Sequence, residues 1–145
     1  MQNNENETNW ANGRELKFRA WDVINNKMYP IAFPTWNGRI DGKIDFVNHK
    51  CELIEADGDD LPILMQYTGL KDKNGKEIYE GDVLRMSAFS PELNIVRFNR
   101  GGFCIEPILE APLEAGFWPD IKYAEDDGSE VIGTIYENPE LLNKN

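Results

Sequence analysis

Histidine is almost missing from this chain. His49 is the single one, so any Ser–His or Cys–His mechanism would have to run through it. Cysteine is nearly as scarce. Cys51 and Cys104 lie far apart, which excludes a disulfide framework of the secreted kind and favours two buried free thiols. On a strand, His49 and Cys51 would share a face, but a reactive thiolate needs an electropositive setting, and Glu52 and Glu55 work against one. A structural pair is the better reading. One histidine and two distant cysteines also cannot supply the four closely paired ligands of a zinc site. Phosphate loops and dinucleotide fingerprints are absent. Basic residues are few, 15 Lys and Arg against 26 Asp and Glu, giving a net charge of −11. Generic nucleic-acid binding rests on several cationic contacts to phosphate and is therefore disfavoured, though a local basic patch stays open. No run approaches the roughly 20 apolar residues of a membrane-spanning helix. The polar stretch Met1–Asn9 has no apolar centre for a signal peptide, so the expected location is the cytoplasm. Its Asn6–Glu7–Thr8 sequon reads as accidental.

Aromatic residues, by contrast, are plentiful at 11%, within a hydrophobic fraction of 41%. The length of 145 residues suits one domain with a real core. Residues 1–12 read as a tail, disordered or ordered by a partner, with Trp10 expected to dock on the domain or on a neighbouring chain. Residues 13–142 read as the domain and 143–145 as a second tail. Leu16, Phe18 and Ala20 alternate with Lys17, Arg19 and Trp21, which predicts a first strand. A turn over Asp22–Asn26 and a strand over Lys27–Ala32 follow, with Pro30 pointing to an edge position or an early end. Ile40, Ile44, Phe46 and Val47 suggest a further strand, and Lys50–Ile54 can continue the sheet. Leu61–Tyr67 reads as extended chain.

The best specified stretch is Thr68–Asp82. A two-residue turn at Asn74–Gly75 would oppose Lys73 with Lys76 and Asp72 with Glu77, repulsive in both pairs. A three-residue turn starting at Asp72, with Gly75 left-handed, instead pairs Asp72 with Lys76, Lys71 with Glu77, Leu70 with Ile78 and Gly69 with Tyr79. Strands are then expected at Val83–Met86, Leu93–Phe98, Phe103–Ile105 and Val131–Tyr136, with a tight turn at Asn99–Gly102. Glu106–Trp118 reads as an irregular excursion and Glu125–Gly128 as an acidic turn. Asn138 and Pro139 fit the cap and first position of a short helical turn ending at Leu142. No long segment carries a helical period, and there is no internal repeat. The fold class is mainly β with minor α: a small, partly open barrel or two packed antiparallel sheets, with long loops and a short C-terminal helical turn.

Two acidic groups, Asp57, Asp59 and Asp60, and Glu125, Asp126, Asp127 and Glu130, invite a divalent cation. Neither has the alternating oxygens, glycine and closing glutamate of a calcium loop, so solvated loops are the plainer reading and no metal or cofactor is assigned. Trp21, Trp36, Tyr67 and Tyr79 could form a stacking face, although such aromatics are more often core. Lys71, Lys73 and Lys76 make a small basic hairpin tip, nearly balanced by Asp72 and Glu77. With Trp10, these residues make up the candidate interaction surface. No catalytic residue is assigned.

Three stretches carry a resemblance: Phe18–Asp22 (FRAWD), Gly69–Asp82 (GLKDKNGKEIYEGD) and Val131–Leu142 (VIGTIYENPELL). Together they resemble the YopX family of phage and prophage proteins. The resemblance implies a β-rich fold and a phage or prophage origin, and it supplies no activity and no functional residue. The leading expectation is a non-catalytic phage accessory protein that binds a host protein, a phage protein or its own copies. A homo-oligomer is expected, most simply a two-fold dimer with Trp10 or Trp21 near the interface. The alternative is a nucleic-acid-binding β-barrel using the aromatic face and the basic tip. A metal-dependent enzyme built on the carboxylate clusters ranks last.

Overall fold

The alternation at the start of the chain folds as a hairpin. In a computed structural model, which describes residues 15–35, 45–48, 53–54, 62–87, 92–108, 119–126 and 128–143, β1 (Phe18–Asp22) pairs antiparallel with β2 (Lys27–Thr35). The turn is closed by Asp22, whose carboxylate accepts the N–H groups of Ile24 at 2.9 Å and Asn25 at 3.0 Å. Pro30 neither ends β2 nor marks an outer strand, because β2 runs on to Thr35 between β1 and β3 (Asp45–Asn48). The physical reason is local. Pro30 faces Arg19 of β1, while β3 takes up β2 only from Ile31 onward, so the missing N–H falls where β2 has one neighbour.

The remaining strands are β4 (Leu53–Ile54), β5 (Ile63–Lys71), β6 (Glu77–Tyr79), β7 (Asp82–Arg85), β8 (Leu93–Asn99), β9 (Gly102–Pro107) and β10 (Glu130–Thr134). They form two antiparallel sheets, ordered β4-β3-β2-β1-β5-β6 and β10-β7-β8-β9. Of the two architectures open to the sequence, two packed sheets is the one observed, with a 3-10 turn over Pro139–Leu142.

The β5–β6 hairpin has the three-residue turn. Gly75 is left-handed (φ 80°), its N–H reaches the Asp72 carbonyl at 2.9 Å, and Lys71 pairs with Glu77. The expected pairing of Gly69 with Tyr79 does not occur. Tyr79 sits opposite Tyr67, because β5 bulges between Tyr67 and Lys71. The Thr68 hydroxyl fills the gap, donating to the Ile78 carbonyl at 2.8 Å and accepting the Leu70 N–H at 3.2 Å.

The bulged hairpin drives Ile78, with Leu70 beside it, into the main core, where Leu84, Val96, Phe103, Ile105 and Val131 of the second sheet and Met86 just beyond β7 wait. Ile78, Leu84 and Ile105 are fully buried, and each such side chain contributes about 1.5–3 kcal/mol relative to exposure. The other face of that sheet, with Val83 and Ile95, is covered by Ile108, Leu141 and Leu142. A helix not read from the sequence, α1 (Lys122–Asp126), buries Ala124 in the main core, so the expected acidic turn at Glu125 is in part helical. Asn138 precedes the 3-10 turn as expected but does not cap it; its side-chain oxygen accepts the Thr134 N–H at 3.2 Å. Trp10, Trp36, the His49–Cys51 pair, the group at Asp57–Asp60, Asp127 and most of the excursion after Glu106 lie outside the described residues.

Candidate functional site

Arg19 and Trp21 of β1 share a face with Lys17 just before it, and β5 and β6 set Tyr67 and Tyr79 beside them. The tyrosine rings lie 5.4 Å apart. The Lys17 ammonium sits 5.5 Å from the centre of Tyr67 and the Arg19 guanidinium 4.7 Å from that of Tyr79. Glu77 joins the two ends, accepting from Lys17 Nζ at 2.6 Å and from Tyr79 Oη at 2.8 Å. Below them, Arg19 Nη2 donates to Asp82 Oδ1 at 2.6 Å and to the Glu80 carbonyl at 3.1 Å, while Asp82 Oδ2 accepts the Tyr79 N–H at 2.8 Å.

The electrostatics of this ladder suit holding rather than proton transfer. Lys17 holds the Glu77 carboxyl below its usual range, against the opposing effect of burial. Burial, then Glu77, pushes Tyr79 up to about 12, and burial raises Tyr67 as well. Asp82, with no exposed side-chain surface, is pushed up by burial in spite of Arg19 and the Tyr79 N–H. None of these movements sets a tyrosine near neutrality, where a general base works best. The Cys104 thiol is buried and is raised, first by burial and then by Glu106, which leaves it a poor nucleophile.

The residues expected to form one interaction surface divide into three places. Tyr67 and Tyr79 belong to the ladder, with Tyr67 only 4% exposed. Trp21 stacks on Tyr136 at 5.9 Å and is itself buried. Lys71, Lys73 and Lys76 stand exposed at the hairpin tip, where Lys73 pairs with Glu130 at 3.6 Å. Trp10 and Trp36 fall outside the described residues.

Two aspartates of the Thr68–Asp82 stretch prove to be internal ties. Asp82 is one. The other is Asp72, whose carboxylate accepts N–H groups from Asn74 and Lys76 at 2.9 Å and from Val131, on the second sheet, at 3.0 Å. Burial pushes the Asp72 carboxyl up, but these three donors outweigh it and hold the group below its usual range. An aspartate opening a three-residue turn is a local signal for the first two bonds; nothing local announces the third.

A groove of about 180 Å3 runs between the sheets, lined by Ile63–Met65 of β5, the Glu80–Gly81 turn, Val96–Phe98 of β8, and Ile135 and Tyr136. Leu64 is 37% and Phe98 51% exposed on its walls. Neither stands out in sequence, since each reads as an ordinary strand residue. A second hollow, bounded by Asp120, Lys122, Tyr123 and Asp126, is open. Among the described residues there is no group of three or more His, Cys, Asp and Glu able to hold a metal ion, and no helix long and apolar enough to cross a membrane.

Comparison with known proteins gives a family and a structural relative. The family described as YopX protein matches residues 17–143. A crystal structure of protein EF1440 from Enterococcus faecalis resembles this one with a TM-score of 0.63 and 28% identity, over 90% of this chain and 100% of that one. No curated protein matches the chain.

Proposed function

The chain belongs to the YopX family, and on that premise we propose that it is a phage or prophage accessory protein acting as a non-catalytic protein-interaction module in the bacterial cytoplasm. The observation that carries this reading is the groove between the sheets, where Leu64 and Phe98 leave apolar surface at its walls. The ionisable side chains beside it support the non-catalytic part. Arg19 and Asp82 are bonded to each other and to the backbone, and Glu77 to Lys17 and Tyr79, so both carboxylates already hold structural partners. Host proteins, phage proteins and further copies of the chain are its candidate partners. The buried rings of Trp21 and Tyr67 speak against base stacking as the mode of action.

The test is quantitative capture from bacterial lysate on the immobilised chain and on a folded Leu64→Ser/Phe98→Ser variant. Partners held by the first and lost by the second support the reading. Equal retention on both, or capture on neither, overturns it.

A further inference from the structure

We infer that the groove accepts an extended, basic protein segment, which adds as a strand to the open edges of β5 and β8. This rests on the interaction reading and names the partner's chemistry. Tyr67 donates its N–H to the Lys17 carbonyl at 2.8 Å, so alternate residues of this part of β5 address β1 and those between face away. Gln66 faces away and is met by Glu80, which accepts its N–H on the carboxylate at 2.7 Å and donates to its carbonyl at 3.0 Å. Leu64, the next residue facing outward, has no backbone partner among the described residues.

The same happens across the groove. Gly81 donates to the Val96 carbonyl at 2.9 Å. Phe98, the next residue of β8 to face that side, lies beyond the reach of β7 and is likewise unmet among the described residues. Among the described residues, the Glu80–Gly81 turn thus occupies a strand position for two residues and then leaves it vacant. Two unpaired edges flanked by exposed apolar side chains are the arrangement that strand addition uses.

Charge selects the guest. Arg97 is neutralised by Glu106 at 2.7 Å, which leaves Glu80 as the lining charge in a chain of net −11. A basic segment is drawn in and an acidic one repelled. Alternation then sets an apolar guest side chain between Leu64 and Phe98, with basic ones turned to solvent.

The experiment is nuclear magnetic resonance on the full isotope-labelled chain with three ten-residue peptides: alternating Lys and Val, alternating Glu and Val, and the Lys/Val peptide N-methylated at every second amide. With the first, the Leu64 and Phe98 amides should shift and their hydrogen exchange slow at least tenfold. The acidic and methylated peptides should each bind at least tenfold more weakly, as should the Lys/Val peptide to Phe98→Ser or, separately, Leu64→Ser. No binding of the Lys/Val peptide at millimolar concentration overturns the inference. So do equal binding of the methylated peptide, shifts confined to the hairpin tip, and Leu64 and Phe98 shifts that follow protein concentration alone, which would make a second copy the occupant. If these peptides fail while lysate partners are still lost on the double serine variant, strand addition falls and the interaction reading stands. If capture fails as well, both fall.

Discussion

Replacing Asp72 by asparagine tests whether the hairpin is tied to the second sheet through one carboxylate. Asparagine keeps an oxygen for the Asn74 and Lys76 N–H groups, now 2.9 Å away. It also turns an NH2 group toward the Val131 N–H, which today donates to Oδ2 at 3.0 Å in a buried site. A buried donor left without an acceptor costs about 1–3 kcal/mol, more when the lost acceptor was charged, so Asp72→Asn should cost about 2–3 kcal/mol. Asp72→Ala also removes the two turn bonds, but Asn74 and Lys76 are exposed and water can replace them, so the total should rise only to about 3–4 kcal/mol. For a domain of this size the asparagine variant should melt roughly 10 °C lower. Lys73→Ala, at the same tip, should stay within about 0.5 kcal/mol. Urea unfolding supplies the free energies, and hydrogen exchange at the Val131 amide locates the loss. A cost below about 1 kcal/mol, with Val131 still exchanging slowly, would show that the carboxylate is not the tie.

Three further outcomes are expected. Arg19→Met should cost about 3–5 kcal/mol by stranding Asp82, and the Arg19→Met/Asp82→Asn pair should lose at least about 1 kcal/mol less than the sum of the singles; additive losses in urea unfolding would deny the coupling. In acid, Asp72 and Glu77 have folded-state values below their unfolded ones, so their stabilisation is complete above the usual carboxylate range and is lost as pH falls below about 4. Asp82 is raised and has the opposite sign, so melting curves should show a flatter acid limb for Asp72→Asn and a steeper one for Asp82→Asn; no change in either slope would contradict the assignments. Light scattering should find a dimer for the full chain and a monomer without residues 1–11, Trp10 being the aromatic left for such a contact now that Trp21 is stacked on Tyr136. A full-length monomer at high micromolar concentration removes the dimer, and a dimer that survives truncation removes the role of Trp10.

What the sequence displayed well was local. The β1–β2 hairpin follows from alternation and Asp22, and the β5–β6 turn from Asp72, Gly75 and the Lys71–Glu77 pair, all settled within a few residues. The Gly69–Tyr79 pairing failed because the Thr68 hydroxyl offered Ile78 a partner that strand pairing rules do not include. Helix α1 escaped because Lys122–Asp126 is shorter than two turns, too short for a period; the Asp120 carboxylate, accepting the Lys122 N–H at 2.8 Å, and the burial of Ala124 hold it. The candidate site depended on contacts at long range. Arg19 meets Asp82 and Val131 meets Asp72 across about sixty residues of chain, and no turn chemistry or alternation encodes a separation of that size.

The chain's crossing from one sheet to the other explains why the ties and the groove lie together. Glu80 finishes the edge of β5 and Gly81 begins the edge of β8, so one turn serves both sheets. Gly81 has a φ of +80°, the left-handed region that favours glycine, and a Cβ there would also press on the Met65 sulfur at 3.1 Å. The turn is held from the side by Asp82 through Arg19 and the Tyr79 N–H, and its carbonyl accepts the Ile135 N–H at 2.9 Å. A chain that turns this sharply cannot also run on along β5 or start earlier along β8. Among the described residues, the contacts that join the sheets at Gly81 therefore leave the backbone of Leu64 and Phe98 uncovered on either side, and the open edges are a consequence of how the two sheets are joined.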